Sequence, residues 1–174
     1  MTDEDELKLI ERDQRVITAA TLTSHPLRHC NFERFGTAIL PVEDMTPHRD
    51  VDAELKFSGA QLRYYVMRLR RRPAVLASIT RHERATQCLG SADAQAWWLA
   101  VAAPALKPEE LGPASVQWVH ILLGEAVKLH QGTWHAVPFF KAPFALSNNL
   151  EFVDTNLNVH NVHPLPTSIK LILD

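Results

Sequence analysis

The chain has 174 residues, a net charge of −2, 46% apolar residues and 22% charged ones. That length gives one domain with a sizeable core, since a chain of this size buries roughly 70% of its unfolded surface, and the composition, at the globular average, points to neither a disordered chain nor a membrane protein. The charge offers no field for nucleic acid or an anionic membrane, and the longest apolar runs, such as Trp97 to Ala103, fall short of the ~20 residues of a membrane-spanning helix.

The opening Thr2-Asp3-Glu4-Asp5-Glu6 is acidic where a signal peptide would be basic, so a cytoplasmic location is expected. Residues 1–15 read as a frayed charged segment or a short helix carrying Leu7 and Ile10, and residues 16–174 as a single domain. Val16-Ile17-Thr18 reads as a strand that runs into a turn at Leu22 to Pro26. Asn31 to Gly36 reads as one capped helical turn closed by glycine, and Thr37 to Leu40 as a strand. Cys30 and Cys88 form no C-x-x-C pair and read as free thiols.

From Gln61 onward the β signal dominates. Strands are expected at Gln61 to Leu69, Val75 to Thr80, Val116 to Leu123, Val127 to Leu129, Thr133 to Val137, Leu150 to Asp154 and Ile169 to Leu173. Arg68, Arg70 and Arg72 share one strand face and read as a charged edge or solvated face, with a polyanion site as the alternative. Ser91 to Ala103 is ambiguous: its alanines favour a helix capped by Ser91 or Asp93, whereas a barrel needs a strand at Trp97 to Val101. A helical turn is expected at Pro108, and Asn148-Asn149 reads as a turn. Many short strands separated by Gly, Pro and Asn predict an all-β sandwich or closed barrel.

The chemistry rests on which of the nine histidines converge. Between Gly124 and His135 a strand runs into a tight turn at Gln131-Gly132. A second strand then leaves with Trp134 and His135 on opposite faces. Upstream, His82 ends one strand and Gln87 begins the next, so a hairpin brings both to one wall. Two imidazoles and an amide oxygen suit either acid–base work on a small molecule or weak metal binding. His160 and His163, three apart on an extended segment, point away from each other and read as loop histidines.

These segments resemble the two cupin motifs: His82 and Gln87 match part of the first, and Gly124 to His135 the second. More narrowly, Arg81-His82 with Gln87, Gly132-Thr-Trp134-His135, Glu151-Phe152-Val153-Asp154 and Phe32-Glu-Arg-Phe35-Gly36 are similar to segments of the ureidoglycolate lyase family, over about Thr21 to Asp154. The resemblance implies a cupin-type double-stranded β-helix (jelly-roll barrel), homodimeric, acting on a small organic acid in purine and allantoin breakdown. It implies His82 and His135 as catalytic residues and Gln87, Arg81, Trp134 and Asp154 around the substrate. A single divalent metal ion on His82, Gln87 and His135 is the cofactor it allows. Alternation along the strand would instead turn Arg81 outward, Trp134 reads as core packing ahead of substrate contact, and Asp154 as a turn cap.

Thr80 stands where the lyases carry glutamate and metallocupins their first histidine. Glu83 replaces a proline, Ala136 a histidine and Thr155 an arginine. Three readings follow: an enzyme that releases urea and glyoxylate from ureidoglycolate, or acts on a related hydroxy or carbonyl acid; a non-catalytic cupin that binds a small ligand or a protein; and, disfavoured by Thr80, a metal-dependent cupin of another reaction class.

Overall fold

The computed structural model describes residues 18–55, 61–84, 86–155 and 162–174. The expected N-terminal segment 1–15, the start of the first strand at Val16-Ile17, and His160 lie outside the described residues. The strands, in chain order, are β1 (Thr18–Leu22), β2 (His25–Pro26), β3 (Gly36–Ile39), β4 (Leu62–Arg70), β5 (Val75–Ile79) and β6 (Gln87–Ser91). They continue as β7 (Trp97–Ala102), β8 (Gln117–Ile121), β9 (Ala126–Leu129), β10 (Trp134–His135), β11 (Phe144–Phe152) and β12 (His163–Leu171). Short 3-10 turns at Leu27–His29, Phe32–Arg34 and Pro108–Glu110 interrupt them. The fold is all-β, and no helix among the described residues is long and apolar enough to cross a membrane.

The strands form three sheets, ordered β1-β12-β5, β10-β7-β8-β2 and β3-β9-β6-β11-β4. A bridge between Thr80 and His135 joins the first to the second, next to β5 and β10. From β4 to β11 the antiparallel pairings nest: β4 with β11, β5 with β10 through that bridge, β6 with β9 and β7 with β8. This segment is one long hairpin rolled over on itself.

The second sheet lies between two apolar layers. Trp98, Ala100 and Ala102 of β7 pack with Leu76, Ile79 and Ile169 of the first sheet. The alternate residues Trp97, Leu99 and Val101 pack with Leu89, Val127 and Leu129 of the third. Six consecutive β7 residues are buried for that reason, and burial on both faces decides the Ser91 to Ala103 ambiguity for strand over alanine's helix propensity. β8 alternates, with Trp118 in one layer and Val119 and Ile121 in the other.

Two expectations are corrected. Asn148 and Asn149 form no turn: both lie inside β11, paired on one side with Val66 and Tyr65 and on the other with Gly90 and Leu89. Turn propensity is overridden there because neighbours on both sides satisfy the backbone. Leu22 to Pro26 also holds a short strand, β2, parallel to β8. β4 is an edge strand exposing Arg68 and Arg70, which discourages further pairing. Cys30 and Cys88 are free.

Candidate functional site

Between the third sheet and the Thr80–His135 bridge lies a cavity of about 390 Å³. One wall presents Tyr65 and Met67 from β4, Gln87 and Leu89 from β6, and Asn149 and Glu151 from β11. The other presents Thr80, His82, His135 and the turn that follows β10. Backbone bonds tie this second wall together: His135 N–H donates to Thr80 O at 2.7 Å, Thr80 N–H to His135 O at 2.9 Å, and Gly132 N–H to His82 O at 2.8 Å. Gly132 holds φ at +78°, the left-handed conformation its turn requires.

Three of the expected site residues meet in this cavity: His82, Gln87 and His135. The two rings lie 5.0 Å apart between centroids, tilted by 55°. His135 is 5% exposed, and burial, helped by the neighbouring His82, pushes its pKa down to about 4. Its Nδ1 lies 3.0 Å from Thr133 O; an N–H there donates to that carbonyl and leaves Nε2 with the lone pair. Burial also lowers the pKa of His82, opposed by the charge of Glu151.

Arg81, Trp134 and Asp154 are not brought to the cavity. Arg81 pairs with Glu83 at 2.6 Å and lies 4.5 Å over the Trp134 ring. Trp134 faces away from its neighbour His135, buried in the other apolar layer, with Nε1 donating to Leu106 O at 3.0 Å. Strand alternation in β10 accounts for Trp134. Asp154 lies beyond the end of β11 and meets Arg84 at 3.1 Å.

The residues missed in the sequence form the opposite wall. Glu151 Oε1 accepts from Arg63 Nη2 at 2.6 Å and Nε at 3.1 Å, and from Tyr65 OH at 3.2 Å. Its Oε2 accepts from Asn149 Nδ2 at 3.0 Å and Gln87 Nε2 at 3.4 Å. A signal was present in the alternation of polar Ser147, Asn149 and Glu151 with Leu146 and Leu150: the polar set is buried and the two leucines are less so. That inverted alternation marks a strand whose inner face lines a polar interior.

A metal centre of the cupin kind would use His82, Gln87 and His135. Among the described residues no group of three or more His, Cys, Asp or Glu is placed to hold an ion. Glu151, the carboxylate of the cavity, accepts hydrogen bonds on both oxygens. His82, Gln87 and His135 themselves supply two imidazoles and one amide oxygen, three neutral donors.

Neither a scan of protein-family models nor a search of curated proteins finds a significant match to this chain.

Proposed function

We propose that the chain is a cupin-type jelly roll whose cavity carries out acid–base chemistry on a small polar molecule. The first reaction to test is the release of urea and glyoxylate from ureidoglycolate. The nested pairing from β4 to β11 supports the fold, since a jelly roll is a long hairpin wound into two facing sheets. The observation that carries the function is the His82–His135 pair, 5.0 Å apart on the wall of a cavity of suitable size.

In the elimination a base takes the hydroxyl proton, the oxygen's electrons form the new carbonyl, the carbon–nitrogen bond breaks, and an acid protonates the departing nitrogen as urea. His135, its pKa held at about 4, is neutral near pH 7 but takes a proton reluctantly. His82 is less buried and feels the charge of Glu151, so it is the stronger base of the pair.

Incubation with ureidoglycolate, following both products, tests this reading. Replacing His82 and His135 by alanine should lower kcat/KM by about 10²-fold or more. Undiminished turnover in that double variant would overturn the site. The second reading is a binding protein without turnover, favoured because no Lys or Arg is among the described residues lining the cavity. Saturable binding of ureidoglycolate with no product would select it.

A further inference from the structure

The hydrogen bonds of the β11 wall have a direction, and Glu151 sets it. A carboxylate paired with arginine only accepts. Asn149 therefore turns Nδ2 toward Glu151 Oε2, at 3.0 Å, and toward Tyr65 OH, at 3.1 Å. Its Oδ1 is left to accept from Gln87 Nε2 at 3.1 Å. Gln87 Nε2 has its second contact with Glu151 Oε2 at 3.4 Å, so both amide hydrogens of Gln87 are directed at β11. Reversing the Gln87 amide would set its oxygen against Asn149 Oδ1 and Glu151 Oε2, two acceptors.

Gln87 Oε1 is thereby the free end of the side chain, buried and without a hydrogen-bond partner among the described residues, as is His82 Nδ1 on the facing wall. Gln87 is 7% exposed. A buried acceptor that no described residue meets is costly and marks a place where a ligand group belongs.

We infer that Glu151 and Asn149 are positioning residues that lock Gln87 with its carbonyl oxygen presented, so that the cavity selects ligands by an N–H donor, the chemistry of primary amides and ureido groups. This rests on the reading of the cavity as the substrate site and assigns specificity to its β11 side. A ligand with an acceptor or a methyl group in that position leaves Gln87 Oε1 unmet and is discriminated against.

Acetamide and acetone are neutral, similar in size, and differ in an NH2 against a CH3. Titrations of the full chain, followed through the NMR resonances of the Gln87 side chain and the His82 and His135 rings, should show acetamide binding about tenfold more tightly, the ratio expected for one hydrogen bond. Gln87→Met keeps the volume and removes the acceptor, and should bring the two affinities within about twofold of each other. Glu151→Gln allows Asn149 and Gln87 to reverse, and should also shrink the preference. Equal binding by the wild type, a preference that survives Gln87→Met, or no movement of these resonances with either probe would each overturn the inference. Turnover of ureidoglycolate tests the histidine pair and the amide preference tests Gln87, so either can fail while the other stands.

Discussion

His135 carries the clearest consequence at the scale of one residue. In the unfolded chain a histidine titrates near ~6.5, whereas in the fold burial and the facing His82 hold its pKa at about 4. Between those values the unfolded chain binds a proton that the native state refuses. The unfolded state thus holds more protons, and stability falls as pH drops through this window, then levels off below the folded value. The loss is on the order of 3 kcal/mol. His82, shifted the same way, adds to it, while the charge of Glu151 works against that addition. Urea unfolding across the window should show the wild type losing stability more steeply than a His135→Asn variant. A gap between the two that stays constant with pH would mean His135 is not held neutral. His135, His82 and Gln87 were legible in the sequence because motif spacing brings them to one cavity, although the structure sets His82 and Gln87 on facing walls and not on the single wall expected of a hairpin. Glu151 was not: its role depends on Arg63, Tyr65 and Gln87, which come together only through strand pairing.

Strand alternation separates what a sequence tells from what it hides at the scale of elements. It placed Trp134 and His135 on opposite faces, and that same rule removes Trp134 from the cavity. It was less useful in β11, where Asn148-Asn149 has turn composition but pairs with two strands at once. Turn propensity is a local preference, and a strand held on both sides outweighs it. β3 shows the opposite case, a glycine whose need is not a turn. Gly36 pairs with Leu129 of β9, and a Cβ at Gly36 would lie 2.0 Å from Lys128 O and 2.9 Å from the Leu129 Cα. Both are backbone atoms, so no side chain can yield, and β3 would have to leave β9. Gly36→Ala should cost ~3 kcal/mol or more, the range of severe steric substitutions. It should also expose the β3 amides, so hydrogen exchange at Thr37 to Ile39 should rise well beyond what global destabilisation explains. Retained protection there with a cost under ~1 kcal/mol would show that the strands accommodate the added carbon.

The whole molecule is organised around β7, which faces one apolar layer with Trp98, Ala100 and Ala102 and the other with Trp97, Leu99 and Val101. A sheet shared by two cores ties them energetically, because neither layer can loosen without exposing one face of the same strand. Leu99 and Ala100 are both fully buried, at 0% exposure, yet they belong to different layers. Leu99→Ala opens a cavity toward the third sheet and should cost about 2–5 kcal/mol. Ala100→Leu overfills the layer toward the first sheet and should cost about 1–3 kcal/mol. Each substitution touches one layer, but each should lower a single common transition. Tryptophan fluorescence weights the first layer, which holds Trp98, Trp118 and Trp134, whereas far-UV circular dichroism follows all three sheets. The two signals should keep coincident midpoints in both variants, as an all-or-none transition requires. A Leu99→Ala protein in which circular dichroism falls before fluorescence would mean the layers melt separately, with the cavity in the layer that yields first. Coincidence would place the His82–His135 pair under the stability of the entire fold, so that distant substitutions in β7 loosen the site only by unfolding the molecule.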